Sequence, residues 1–388
     1  MKFVNVLFVV LLYCTHLSAQ VTLPNNLYFT HIGVEDGLCQ NTVCCILQDH
    51  LGFIWLGTKD GLTRYDGYRF RVFKHDAADP MSIGNNFIRV LYEDADGLIW
   101  IGTNVGVYIY NPETENFRKF DVATERGDVI SREVSSIKCD SSGDLWIGVN
   151  WQGVFRYDRR DESLELYEPV PGDTTSLSSV HVWDLCFDGD GNLWVGSQNG
   201  GLDRYDRETD RFVRHRLKGL SDVSRIVLDK QNQLLLGTMK DGLFSFNPYM
   251  GTCQPLLLDS GHKDLFVRAI FVRNSREVVV GTENGIYIYD CVTRKTRHVN
   301  QELGNPYSLS CKAVYSIYCD KEGALWIGTY FGGVNYLPPS SSLIFDKFYP
   351  IGHSDRLSGK AVREFVRDES GIIWIGTEDQ GLNRFDPV

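Results

Sequence analysis

Short apolar runs of about five or six residues, each closed by a polar turn, follow one another from about residue 43 to the end of the chain. One unit reads FIRVLYED (87–94), the turn DADG (94–97), LIWIGT (98–103), a second turn and then GVYIYN (106–111). β-Branched and aromatic residues fill the runs and Asp, Gly and Asn fill the gaps, which predicts strands joined by tight turns. Helix-period stretches are absent from the pattern.

The unit recurs. The Gly of a "WxG" pattern falls at Gly57, Gly102, Gly148, Gly196, Gly237, Gly281, Gly328 and Gly376, at successive intervals of 45, 46, 48, 41, 44, 47 and 48 residues. A fourth short run follows in most units, as in RFRVF (69–73), FRKF (117–120) and RFVRH (211–215). Four strands in roughly forty to fifty residues predict a propeller blade. The fold class is therefore all-β, a β-propeller of four-stranded blades. Seven units could close one ring, with an eighth beginning a second propeller; the alternative is a closed ring of eight. A strand around Leu27 to His31 is expected to pair with the last blade and seal the ring, because an unpaired edge invites association.

Two residues give the unit its chemistry. Asp49, Asp94, Asp140, Asp188, Asp320 and Asp368 each stand three residues before a Gly, as in a turn where Asp accepts from backbone N–H groups and Gly takes a positive φ. Trp55, Trp100, Trp146, Trp194, Trp326 and Trp374 share one register of the second run, so their rings should point the same way and pack between blades. Leu235 and Val279 replace Trp in two units, and Arg273 replaces the second of those units' turn Asp. Those two blades should be less regular.

Composition narrows the setting. Hydrophobic residues make up 43% and aromatics 12% of 388 residues, which suits a folded, aromatic-rich protein. A net charge of −11 repels phosphate backbones, so nucleic acid is not expected as a partner. Residues 1–19, MKFVNVLFVVLLYCTHLSA, have the basic start, apolar run and small residues of an export signal, which places the rest of the chain in the periplasm. A lipoprotein reading at Cys14 is disfavoured by bulky Tyr13. No later run is long and apolar enough to span a bilayer. Removing Cys14 from ten cysteines leaves nine without a C-x-x-C pair, so buried free thiols are expected, and neither a metal nor a cofactor. The expected division is residues 1–19 as signal, 20–342 as seven repeats and 343–388 as the eighth.

The segments DGNLWVGSQNGGLDRYD (190–206), EGALWIGTYFGGVNY (322–336) and SGIIWIGTEDQGLNRFD (370–386) resemble two-component regulator propeller repeats. The stretch from Phe29 to Leu62 resembles the usual start of that region in the sensors of Bacteroides relatives. The resemblance covers about residues 28–388. It implies two seven-bladed propellers, an immunoglobulin-like domain, a membrane helix, a histidine kinase, a receiver and a DNA-binding module, in a sensor of glycan-derived oligosaccharides. This sequence stops at Val388, directly after its eighth motif, and carries none of the kinase, receiver or membrane parts. The expectation is an extracytoplasmic ligand-sensing propeller, not itself an enzyme, binding an oligosaccharide with a second propeller or a homodimer partner beside it.

Residues that break the repeat are the candidate site. Trp151 in VNWQG and Tyr330-Phe331 in TYFGG place large aromatics in loops where other units carry small or polar residues. Aromatic faces suit sugar rings, although local packing of the loop is the simpler explanation of each. Trp183 in VHVWDL lies in an innermost strand, where it could line the channel or plug it. Asn41, Asn86, Arg132, His181, Lys312 and Lys360 fall near the starts of first strands and so toward one rim. Two other classes compete with the sensor. A propeller lyase or glycosidase would need a catalytic set such as an arginine cluster with a Tyr nucleophile, and none stands out from the repeat. A protein-interaction platform would show an exposed rim patch and no sugar-sized concavity.

Overall fold

Where a unit carries the turn Asp, that residue builds the turn between its first and second strands. Asp94 Oδ1 accepts from Leu98 N at 2.9 Å while its Oδ2 accepts the Trp100 indole N–H at 2.8 Å, so one carboxylate fixes both the turn and the ring. The same pair of bonds recurs at Asp49 with Trp55, Asp140 with Trp146, Asp188 with Trp194, and Asp320 with Trp326. The turn glycine is required by backbone geometry: Gly97 sits at φ 76°.

The computed structural model describes residues 22–217, 220, 222–257, 265–339, 357–359 and 361–387. The expected signal at 1–19 and Lys360 lie outside the described residues. Within them the sheets are seven of four strands and one of three, all antiparallel. Blade 1 runs outward through Val43–Gln48, Ile54–Thr58, Gly61–Tyr65 and Phe70–Phe73. The innermost strands of blades 2 to 7 are Ile88–Glu93, Val134–Cys139, Val182–Phe187, Arg225–Leu228, Val267–Val272 and Val314–Cys319. The fourth strand of blade 2 is Asn116–Lys119, one residue ahead of the FRKF reading. A single 3-10 turn, Val34–Asp36, interrupts the β-structure of the described residues.

The tryptophans sit between blades, as their shared register predicts. Trp55 of blade 1 is in one buried cluster with Ile88, Ile99 and Tyr110 of blade 2, and Trp146 of blade 3 joins Val182, Leu185 and Tyr205 of blade 4. Leu235 and Val279 occupy the equivalent clusters of the two blades that lack the Trp. A ring burying 150–250 Å² contributes roughly 4–6 kcal/mol gross, before ordering costs.

Ring closure is visible at the WxG glycine. A Cβ on Gly102 would lie 2.6 Å from Val134 Cγ1 of the next blade, so only Gly lets the blades approach this closely. Gly57 holds the same place against Ile88, Gly148 against Val182, Gly196 against Val223, Gly237 against Val267 and Gly281 against Val314. The series returns to its start: a Cβ on Gly328 of blade 7 would lie 2.9 Å from Val43 Cγ1 of blade 1. Trp326 likewise shares a cluster with Val43, Ile54 and Leu56. Seven blades therefore close on themselves.

The expected sealing strand forms at Thr30–Ile32, shifted toward the C-terminal end of the Leu27–His31 span. It supplies the outer strand of blade 7, pairing Thr30 with Tyr336, His31 with Asn335 and Ile32 with Val334. The eighth sheet, Val362–Arg367, Ile373–Thr377 and Gly381–Phe385, stands outside this cycle. Its first strand is exposed along its whole length, and a Cβ on Gly376 would meet only Glu364 O at 3.9 Å. Trp374 still bonds Asp368 at 2.8 Å, so the Asp–Trp unit forms here without the tight neighbour contact its WxG glycine makes in the ring.

Candidate ligand site at the channel mouth

Six of the seven innermost strands carry the same irregularity near their start. The pairing register jumps from Val43 to Cys45, Ile88 to Val90, Val134 to Ser136, Val182 to Asp184, Val267 to Ala269 and Val314 to Ser316. Each jump leaves one residue out of the ladder: Cys44, Arg89, Ser135, Trp183, Arg268 and Tyr315. Bulges re-aim side chains, and here all six line one cavity of ≈ 60 Å³, together with Glu133, Val134 and Arg225. Every blade contributes to this lining, which places the cavity on the ring axis. The bulges lie opposite the ends of the second strands, so the cavity belongs to the same face as the loops joining second and third strands.

Positive charge dominates the lining. Arg89 donates from Nε to Asn104 Oδ1 at 2.7 Å, pairs with Glu133 at 3.3 Å and stacks 4.0 Å over Phe87. Arg268 pairs with Glu283 at 2.5 Å and lies over both Phe266 (3.9 Å) and Tyr315 (4.4 Å). Arg225 differs from both. It donates to Arg268 O at 2.7 Å and Ser224 O at 2.9 Å, both backbone carbonyls, and forms no ion pair among the described residues. Burial lowers its pKa, with the carboxylate of Asp184 pulling in the other direction. Asp184 itself is occupied by Ser136 Oγ at 2.9 Å and Ile226 N at 3.1 Å.

The remaining lining groups are neutral. Burial pushes the Cys44 thiol up to about 11 despite Arg89, Lys59 and Arg268 nearby, so it stays protonated and poorly nucleophilic at neutral pH. Burial pushes the Tyr315 hydroxyl up to about 12. Trp183 packs edge-on to Phe266 with centroids 6.2 Å apart, and its buried indole N–H has no acceptor.

An aromatic rim continues from this cavity. Tyr330 lies 5.1 Å from Tyr315 and 4.2 Å from Phe331, and Lys59 Nζ sits 4.1 Å over the Tyr330 ring. Phe331 is 69% exposed. Across the ring, Trp151 is 65% exposed and meets His181 edge-on at 4.1 Å. Its φ of 70° is costly for a bulky side chain, and the neighbouring blade has Asn199 at φ 58° in the corresponding loop. His181 also bonds Asn150 Oδ1 at 3.2 Å.

The candidates from sequence thus divide. Trp183 lines the cavity, Tyr330 with Phe331 forms one side of the rim, and Trp151 with His181 forms another. Asn86 is engaged in local structure, donating to Asp60 Oδ1 at 3.1 Å and accepting from His75 N at 2.7 Å. Arg132 and Lys312 are exposed, and their backbone carbonyls accept from Gly106 N and Gly285 N of adjoining loops. Sequence reading missed Arg89, Arg225, Arg268, Tyr315 and Cys44. The available signal was positional: the residue after the buried Val or Ile of each first strand reads Cys, Arg, Ser, Trp, Arg, Tyr, varied where its neighbour is constant.

These features define a seven-bladed β-propeller with a cationic, aromatic-rimmed channel mouth. Its residues 37–60, 82–105, 176–199 and 308–331 match the two component regulator propeller family model. An extracellular domain from Bacteroides thetaiotaomicron, assigned to the hybrid two component system BT3049, shares 28% identity at a TM-score of 0.78. The match covers 93% of this chain and 48% of that one, so the chain spans about half of it. Histidine kinase P4 of Formosa agariphila is 39% identical over 59 residues, which is 15% of this chain and 4% of the kinase. Virginiamycin B lyase of Staphylococcus aureus, at 12% identity and a TM-score of 0.60 over 81% of this chain and 99% of the lyase, shares the fold alone.

Proposed function

We propose that this chain is the extracytoplasmic ligand-sensing propeller of a two-component system and that it binds a glycan-derived oligosaccharide at the channel mouth. The observation that carries this reading is an aromatic run, Tyr315 to Tyr330 to Phe331 with Lys59 over Tyr330, that leads outward from the arginine-lined cavity on the ring axis. Aromatic faces stack on the apolar face of a sugar ring while charged donors bond its hydroxyls. Export to the periplasm agrees with the extracellular assignment of the Bacteroides relative. Residues 343–388 would begin a second propeller, or meet one from a homodimer partner. Signalling chemistry would reside in parts of a longer protein, so the propeller itself is read as a binding module and not an enzyme.

Isothermal titration of the purified chain against a panel of neutral and acidic oligosaccharides tests this. Binding heat from at least one saccharide is expected, weakened roughly tenfold or more by Tyr330→Ala, the scale of losing one aromatic stacking contact. No heat from any member would overturn the reading in favour of a protein-interaction platform.

A further inference from the structure

The channel wall is rich in hydrogen-bond donors, and that selects a kind of ligand. Arg89, Arg225 and Arg268 can only donate, as can the Trp183 indole. The one carboxylate in the lining, Glu133, is already committed to Arg89 at 3.3 Å. Two donors are left short. Arg225 satisfies two backbone carbonyls and has no carboxylate partner, and the Trp183 Nε1 is buried without an acceptor. A half-buried cation whose hydrogen bonds go only to backbone carbonyls, lining the same cavity as a buried orphan N–H, is a costly arrangement unless something supplies a further acceptor. This positive focus sits inside a chain of net charge −11, so it is local to the channel and not a property of the whole surface.

Size fixes which part of a ligand enters. A cavity of ≈ 60 Å³, room for a handful of waters, most readily admits a small polar group. The ring would then remain above, at Tyr315 and Tyr330. Building on the saccharide reading above, we propose that the channel receives the anionic group of an acidic saccharide, a carboxylate or a sulfate, with Arg225 and Trp183 Nε1 as its partners. A hydroxyl can accept from these donors but brings a proton that needs an acceptor of its own; an acceptor-only anion brings none and adds charge complementarity.

The test titrates the chain with two matched pairs: uronate oligosaccharides against their methyl-esterified forms, and sulfated oligosaccharides against their desulfated forms. The first pair reports a carboxylate source and the second a sulfate source. At least one acidic member is expected to bind at least about tenfold more tightly than its neutral counterpart, the scale of one charge-assisted bond, with weakening as salt rises. Arg225→Gln should erase that preference. Because loss of Arg225 can disturb folding, Trp183→Phe is the second variant: it keeps an aromatic ring, removes the N–H, and should lower acidic binding several-fold more than neutral binding. Neutral members binding as tightly as acidic ones, or a preference that survives both substitutions, would overturn this inference and leave the saccharide reading standing. Inorganic sulfate binding as tightly as the sulfated saccharide would also overturn it. Absence of binding by every saccharide would overturn both.

Discussion

Asp203 shows how a single residue departs from its repeat and what that costs. It lies fully buried in blade 4, where Oδ2 accepts both the backbone N–H of Ser178 at 2.9 Å and its hydroxyl at 2.6 Å, while Oδ1 has no partner. Blade 7 solves the same position with Asn335, whose amide accepts from Ser310 N at 2.8 Å and donates to Ser310 Oγ at 2.9 Å. Burial raises the Asp203 carboxyl to about 6, against the lowering effect of Ser178, from an unfolded value of 3.8. A raised folded pKa means that the native state holds the proton more tightly, so this contribution is complete below about pH 4 and is lost as pH rises through 6. Asp203→Asn should therefore match the parent near pH 4 and be more stable by about 1–3 kcal/mol at pH 7.5, by the conversion of about 1.4 kcal/mol per pKa unit. Urea unfolding at the two pH values checks it; an equal gap at both would contradict the assignment. The same scale explains what sequence could reveal of the site. Trp183 and Tyr330 were legible because they are large and break the pattern. Arg225 was not, since an Arg in a strand reads as an exposed side chain until the ring places it on the axis.

Between blades, the controlling contact is the WxG glycine against the next blade's Val or Ile. Gly102 is enclosed by Val90 of its own blade and Val134 of the next, whereas Gly376 of the eighth sheet faces open space apart from Glu364 O at 3.9 Å. Gly102→Ala should thus cost about 1–3 kcal/mol as an overpacked interface, and Gly376→Ala should stay within about 0.5 kcal/mol of the parent. Denaturant titration followed by tryptophan fluorescence distinguishes them, and equal costs would contradict the closed interface at Gly102. Strands and turns were legible because Asp, Gly and Trp recur at fixed spacing for a stated physical reason. Even the substitutions read correctly: Leu235 and Val279 stay buried in the Trp position, and in the blade that has Arg273 for the turn Asp, Asn274 accepts from Arg276 N and Glu277 N. The bulges were illegible, because nothing in a strand's composition announces an extra residue when the partner strand supplies the register.

At the scale of the molecule, repetition carried the architecture and concealed the site. Eight similar units fit either a ring of seven or one of eight, and no residue within a unit counts its neighbours. The choice rests on contacts across 285 positions, such as Gly328 against Val43, together with the pairing of Thr30–Ile32 onto Val334–Leu337. The channel mouth is likewise non-local, drawing a bulged residue from each of six blades and Arg225 from blade 5. Closure is therefore the premise of the whole account: without it there is no axis, no cavity and no cationic focus. Hydrogen exchange of the chain, resolved by segment, tests it most directly. The amides of Thr30–Ile32 should open only with Val43–Gln48 and the other ring strands, at the global unfolding free energy, while Val362–Arg367 and its two partners exchange separately and faster. Exchange of Thr30–Ile32 as fast as that of the eighth sheet would contradict the seven-bladed ring.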